Sequence, residues 1–372
     1  MSTDLNLCFD GNYLFYKSMV VSNTYANKSK KFLSDIEEIN VLVRKVATDF
    51  VFVLNKFPGY HKAIVVKDSS SWRKEYYPEY KGNRSKDSNI DWGNMFHAMD
   101  EFLEIIEKRG VIISTQQNAE GDDLMYLWAN QYLENQSAST IIITGDSDLT
   151  QCVNYNDNTF TAVYNNNSKQ RKFIVKNGFQ NWLNSYPEQN IDIFSGGLDQ
   201  IFKVSANEII KTTISNIETI EIDPMKIALY KAICGDDGDN IPSIYSWLLE
   251  SGKIRRVTKV HLEKLYDLII SQFNEVNMYD LMNNYAFRNF VRVQIQSLAK
   301  IKIPQNEWET NLDRNIKLSF LDKTTIPQYI QDDFIQLNQH NDNFKTDSFN
   351  NIDLLKDTKF AKFNNISNVF NM

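Results

Sequence analysis

The sequence predicts an α/β protein with a mostly parallel central sheet flanked by helices. Two observations predict it. Short apolar, β-branched runs alternate with longer segments of helical periodicity. Four of these runs end in acid. LNLCFD closes on Asp10, and KAIVVKD closes on Asp68. VIISTQQNAEGDD leads to Glu120, Asp122 and Asp123, and STIIITGDSD delivers Asp146 and Asp148. The run from Thr140 to Thr144 is long enough for a buried strand and too short for a helix. Asp146 and Asp148, two residues apart at a strand end, face the same way. In an α/β sheet the carboxyl ends of the strands are where ligands bind.

Asp and Ser also favour strand-to-helix turns, and turn chemistry accounts for one such ending. It accounts poorly for four. Two carboxylates ~4 Å apart repel by ~4 kcal/mol at a dielectric of ~20. A pocket of acids protonates or splays unless cations neutralise it. Oxygen-only donors favour hard ions, magnesium or manganese. The residues thus predict a two-metal carboxylate site, a type that often performs phosphoryl chemistry.

The 372 residues suffice for two domains, and 42% apolar with 13% aromatic residues means a real core. Cys8, Cys152 and Cys234 lack metal-type spacing; Cys8 and Cys152 fit buried thiols, and the odd count fits a reducing cytosol. The four histidines are scattered, which argues against zinc. MSTDLN lacks a signal-peptide pattern and no apolar run reaches membrane-spanning length, so a cytoplasmic location is expected. The net charge of −7 hides its distribution, because the acids assigned to the metal site outnumber it. Basic clusters stand at 28–31, 81–84, 169–172 and 253–259. The clusters at 28–31 and 169–172 read as solvated surface. An acidic pocket rimmed by basic patches suits a phosphate polymer.

In chain order, residues 5–10 form the first strand, and a short helix starts at Asn12. Ser34 caps a helix reaching Lys56, with acids in its first turn and Leu42, Val46, Phe50 and Val53 as its apolar stripe. Residues 61–68 form the second strand. Residues 69–91 mix aromatics with Arg73, Lys74, Lys81, Arg84 and Lys86 and read as neither core helix nor strand. Aromatics beside cations stack bases and hold phosphates, and Arg73 and Tyr80 are expected to do so. Residues 92–109 form an amphipathic helix, 111–115 the third strand and 122–134 a helix. Residues 159–164 and 172–175 form a hairpin, and 177–297 is largely helical. In ICGDDGDNIPSI, Asp236 and Asp239 are placed on one face of a helical turn, with Asp237 facing solvent. Trp247, Leu248 and KIRRVTK point to a following pair of helices. The expected domains are 1–180 with the insert at 69–91, then 181–303, then an extension at 304–372. Residues 353–370 have rough helical spacing and dock on the body or recruit a partner.

The motifs FDGN, KD, PEYKGNR, AEGDD, TGDSDL and GDDGDNIP, in this order over roughly residues 5–260, resemble the 5′→3′ exonuclease and flap endonuclease family. Within it they are most similar to the ribonuclease H group of T-even-type phages. The resemblance implies a PIN-like or resolvase-like nuclease core, a helical arch and a helical domain with a duplex-binding helix–turn–helix at about 234–262. It implies that Asp10, Asp68, Glu120, Asp122, Asp123, Asp146, Asp148, Asp236 and Asp239 hold two Mg²⁺, with Mn²⁺ as substitute. Lys81 and Arg84 match the basic pair of the arch that closes over the active site. Lys253, Arg255, Arg256 and Lys259 would hold the duplex. The chain departs from the family where a Gly-rich turn and a Lys hold phosphate and potassium. Here Pro242 is followed by SIYSWLLESGKIRR.

The activity implied is Mg²⁺-dependent 5′→3′ exonuclease, flap endonuclease and RNase H cleavage by a monomer. The substrates would be DNA and RNA–DNA hybrid with free or flapped 5′ ends. A clamp or single-strand-binding protein would meet the C-terminal region. A phosphatase of the haloacid-dehalogenase type would need a second Asp two residues after Asp10, where Asn12 stands. A PIN-type ribonuclease and a non-catalytic junction binder are the alternatives. The first leaves the insert and the last half of the chain without a role; the second leaves the intact acids without one.

Overall fold

Leu5, Leu7, Cys8 and Phe9 are fully buried, as a strand covered on both faces requires. They belong to β1 (Leu5–Asp10), which pairs in parallel with β2 (Lys62–Val66) on one side and β4 (Ser139–Ile143) on the other. β3 (Ile112–Ser114) adds to β2 in parallel. β6 (Phe160–Asn165) adds to β4 in parallel and carries the two-residue β5 (Asn154–Tyr155). β7 (Lys172–Lys176) turns back antiparallel to β6, and β8 (Glu218–Ile222) lies parallel to β7. The path across the sheet is β3-β2-β1-β4-β6-β7-β8.

The computed structural model describes residues 4–29, 35–84, 91–167, 171–185, 206–273 and 283–338. They divide into two units. The first comprises Met1–Ser70, Lys86–Ile222 and Asp332–Met372 and contains the large sheet. Helices Gly11–Ser29, Asp35–Lys56 and Trp92–Glu107 cover it. Phe50 sits at the centre of their packing, 4.6 Å from the Phe9 ring and 5.6 Å from Phe102 between centroids. Asp91 caps the third helix by accepting from the Asn94 amide at 2.9 Å.

The second unit comprises Ser71–Ser85 and Asp223–Gln331. Its core is helical, built from Pro224–Cys234, Lys259–Gln272, Tyr285–Ala299 and Gln305–Ser319. Asn315, fully buried, donates to the carbonyls of Ala232 and Pro242, both at 2.9 Å.

The strand and helix order agrees with the α/β expectation, and the differences have physical causes. The first helix is not short, since it runs to Ser29. The sheet does not end near residue 180, because the alternating ETIEI run forms β8 on its edge. Residues from 304 are not an extension, because Trp308, Leu312 and Ile316 share one face of a helix and are buried in the second core. The expected pair of helices after Trp247 is replaced by an antiparallel hairpin, β9 (Ser246–Leu248) and β10 (Ile254–Arg256), before helix Lys259–Gln272. Ser34, residues 85–90 of the insert and the tail segment 353–370 lie outside the described residues. No described helix is long and apolar enough to cross a membrane.

Candidate active site

The register of the first sheet brings its acids to one edge. Asp10 pairs with Val66, and Phe9 pairs with Ile143, so the residues that follow all emerge at the carboxyl ends of β1, β2 and β4. Asp10 Oδ1 accepts from the Tyr13 amide at 2.9 Å and Oδ2 from the Thr144 hydroxyl at 2.8 Å. Thr144 Oγ1 accepts in turn from the Asp146 amide at 3.0 Å. Asp146 Oδ1 accepts from the Asp148 amide at 2.9 Å, which folds the GDSD turn on itself.

Asp68 is gripped from two sides. Its Oδ2 accepts from Asn12 Nδ2 at 2.7 Å, and its own amide donates to Asn12 Oδ1 at 3.2 Å. Its Oδ1 accepts from the Gly121 amide at 2.5 Å, at the start of helix Gly121–Leu127. A Cβ at Gly121 would lie 2.6 Å from that same oxygen, so only glycine lets the carboxylate approach the helix end. At Gly145 a Cβ would lie 2.2 Å from the Tyr13 ring, so the turn that delivers Asp146 also depends on a missing side chain. Glu120 and Asp123 are buried, and Asp123 Oδ2 accepts from the Glu120 amide at 3.3 Å. Asp122 is half-buried, Asp146 is exposed and Asp148 half-buried.

Burial pushes the Asp10 carboxyl up from its ordinary 3.8 to about 6, and the Asp68 and Asp146 charges add to the rise. The Tyr13 and Thr144 hydrogen bonds oppose it without reversing it. A divalent cation would offset both the burial and the neighbouring charges that raise this group. The donors presented at this edge are oxygens, which fits a hard ion held by Asp10, Asp68, Glu120, Asp122, Asp123, Asp146 and Asp148.

The second unit holds the remaining candidates. Asp236, Asp237 and Asp239 lie on a tight loop, not on a helical turn. Asp236 and Ile241 close it by reciprocal backbone hydrogen bonds at 2.8 Å. Each acid faces a cation. Asp236 pairs with Lys231, which together with the Gly238 and Asp239 amides outweighs the upward push of burial and holds the carboxyl below its usual range. Asp237 forms a bidentate pair with Arg256 (2.5 and 2.6 Å) and is lowered by it. Its carboxylate is exposed, as expected, yet Arg256 occupies it.

Asp239 is held by the Arg84 guanidinium and, at 3.0 Å, by the Tyr80 hydroxyl. The basic segment is sewn onto this loop. The Lys81 amide donates to the Asp239 carbonyl (2.8 Å), Asn83 Nδ2 to the Asp237 carbonyl (2.7 Å) and Asn240 Nδ2 to the Glu79 carbonyl (2.7 Å). Lys81 adopts φ +55°, and its Nζ lies 4.9 Å from the Tyr80 ring centre.

Two expected nucleic-acid contacts are corrected. Arg73 is buried, its Nε donating to the Leu318 carbonyl at 2.9 Å and its guanidinium 4.6 Å from the Trp72 ring centre. Tyr80 is buried against Ile241 and Leu318. Both fasten the insert to the second unit's core. Lys253, Arg255, Arg256 and Lys259 are exposed on the hairpin and the helix start that follows. Asn12, Thr144 and Lys231 are partners of the acids that the sequence pattern does not single out. Asn12 and Thr144 lie inside or beside the acid-bearing motifs. Lys231 carries only the signal of a cation in the last turn of a helix that an acid follows.

Residues 6–181 match the family described as 5′-3′ exonuclease, N-terminal resolvase-like domain. These residues carry that domain, and the chain is a nuclease of the 5′-3′ exonuclease and flap endonuclease type. The 5′-3′ exonuclease of Buchnera aphidicola subsp. Acyrthosiphon pisum is 24% identical over 253 residues, 63% of this chain and 82% of that protein. The 5′-3′ exonuclease of Mycoplasmopsis pulmonis is 22% identical over 267 residues, 71% of this chain and 70% of that protein. The flap endonuclease of bacteriophage T5, solved in complex with DNA and metal ions, shares the fold. Its TM-score is 0.50 at 17% identity, covering 91% of this chain and 98% of that one.

Two outcomes check the site. The Asp10 shift disfavours the folded state as pH rises from about 4 to about 6, and the loss persists above it, worth roughly 3 kcal/mol without metal. Metal-free Asp10→Asn should therefore melt above the wild type at pH 8, with the gap closing by pH 4. Millimolar Mg²⁺ should then favour the wild type. Arg73→Ala, which strips a buried carbonyl of its donor, should cost about 1–3 kcal/mol in urea unfolding. Its salt dependence of DNA binding should match the wild type.

Proposed function

We propose that the protein is a two-metal 5′ nuclease that uses Mg²⁺, or Mn²⁺ in its place, to remove 5′ flaps and RNA primers from DNA. The observation that carries this reading is the convergence of seven acids on the carboxyl edge of the first sheet. Asp10, Asp68, Glu120, Asp122, Asp123, Asp146 and Asp148 would hold the ions there, and Asp236 and Asp239 are assigned to the same set. Bound divalent ions lower the pKa of water and offset charge on the departing 3′ oxygen.

The chain's own residues supply position and charge. Thr144 and the Tyr13 amide fix the direction of the Asp10 carboxylate, and Asn12 and the Gly121 amide fix that of Asp68. Lys81 and Arg84 bring positive charge to the scissile phosphate. Arg84 exchanges Asp239 for phosphate in doing so. No side-chain nucleophile takes part: water adds to phosphorus and the P–O3′ bond breaks, so the products carry a 3′ hydroxyl and a 5′ phosphate. The reading includes RNase H activity on RNA–DNA hybrid and action as a monomer. A replication protein, a clamp or a single-strand-binding protein, is assigned to the C-terminal region. Support for DNA as substrate comes from the fold shared with a flap endonuclease bound to DNA and metal ions.

Labelled nicked, flapped and RNA–DNA hybrid substrates test the reading. All three should be cut in Mg²⁺ and none after chelation. Asp146→Asn should slow single-turnover cleavage by at least about 100-fold, more than an outer-shell change does, while flap affinity in Ca²⁺ stays measurable. Cleavage by the variant at the normal rate would remove Asp146 from the ligand set. Hydrolysis of small phosphomonoesters without strand scission would overturn the assignment.

A further inference from the structure

Ser69 and Ser70 follow Asp68, and both are bonded to the loop that presents Glu120. The Ser70 hydroxyl donates to Asn118 Oδ1 at 2.7 Å, and its Oγ accepts from the Asn118 amide at 3.1 Å. The two residues thus close a reciprocal pair. One step inward the Ser69 amide donates to the Ala119 carbonyl at 3.3 Å. Beyond it the Gly121 amide reaches the Asp68 carboxylate. Residues 68–70 and 118–121 therefore run alongside each other in opposite directions. They are tied at three levels, with the Ser70–Asn118 pair as the outermost rung.

The backbone bends to make this rung. Asn118 adopts φ +62°, a left-handed conformation that asparagine takes more readily than most residues. The Ala119 amide closes the same turn on the Gln116 carbonyl at 3.3 Å. Ser70 is exposed and Asn118 half-buried. A hydrogen bond open to water adds little to stability, because water replaces either partner. Position is what such a bond sets. On one side Asp68 follows β2; on the other Glu120 precedes helix Gly121–Leu127, whose first turn carries Asp122 and Asp123.

The insert adds a demand. Ser71 caps the short helix Trp72–Tyr76, its Oγ accepting from the Arg73 amide at 3.2 Å. No residue lies between that cap and Ser70. A pull on the insert passes to Ser70, and the clasp is the first tie it meets before Asp68. Metal ligands depend on the groups that orient them, and losing such a group costs about 10–100-fold in metal affinity or activity. We propose that Ser70 and Asn118 are positioning residues for the metal site. Their pair holds Asp68 in register with Glu120 and Asp122, so that the acids of both loops serve the same ions. Neither residue is itself a ligand. This rests on the metal-dependent nuclease reading and names the tie that sets the spacing of its acids.

Variants of the full chain test it, by Mn²⁺ binding without substrate and by single-turnover flap cleavage. Ser70→Ala and Asn118→Gly, the second chosen because glycine keeps the left-handed turn, should each weaken Mn²⁺ binding about tenfold. Each should raise the half-saturating Mg²⁺ for cleavage by the same factor. The rate at saturating Mg²⁺ and the melting temperature should stay at their wild-type values. The double variant should lose no more than either single one, because both changes remove the same pair. Ser70→Thr, which keeps the hydroxyl, should restore wild-type binding. Wild-type Mn²⁺ affinity in both single variants, or additive losses in the double, would overturn the proposal while leaving the nuclease reading intact. So would losses matched by a lower melting temperature that Ser70→Thr does not repair, which would make the pair a structural tie alone. Absence of saturable Mn²⁺ binding in the wild type would overturn both.

Discussion

Burial of a carboxylate beside other carboxylates is the constraint on the first unit's acid edge. Parallel strands covered on both faces must end at a common edge, and here each of the central strands hands an acid to that edge. Asp10 feels burial, with the charges of Asp68 and Asp146 adding to it, strongly enough to hold its proton to about pH 6. A fold built for stability alone would not keep such a group. The surrounding structure instead holds these charges in place with Thr144, Asn12 and the amides of Tyr13 and Gly121. The arrangement is costly without counter-ions and well suited to receive them.

The second unit handles its acids in the opposite way. Asp236, Asp237 and Asp239 are crowded into one loop, yet Lys231, Arg256 and Arg84 face them one to one. The cation that matches Asp239 comes from the insert, whose aromatic Tyr80 is sunk into the same unit. Charge pairing and apolar packing thus fasten the basic segment to the loop, and Lys81, in a left-handed conformation, donates its backbone N–H to the Asp239 carbonyl.

Much of this is legible in the sequence, for reasons that differ by element. The buried strands are clear because β-branched runs such as TIII bounded by Gly and Asp have few other solutions. The acids of the first edge are clear because they recur at strand ends. β8 is hidden because ETIEI is short and follows a helical stretch. The hairpin is hidden because Trp247, Leu248 and KIRR also fit a helix, and only the anchoring of Trp247 in the core decides between them. Arg73 and Tyr80 mislead because an Arg or Tyr amid cations reads as surface until its burial is seen. The partners Asn12, Thr144 and Lys231 are hidden because hydrogen bonds to an acid leave no periodic trace.

The account stands on the claim that divalent cations occupy the acid edge of the first sheet. Titrating Mn²⁺ into the protein, with the free aquo ion followed by paramagnetic resonance, tests it directly. The prediction is saturable binding that strengthens as pH rises from about 5 to about 7 and levels off above, since bound metal displaces the proton on Asp10, with two ions taken up. A linear, unsaturated response at millimolar Mn²⁺, or an affinity unchanged across that pH range, would contradict it.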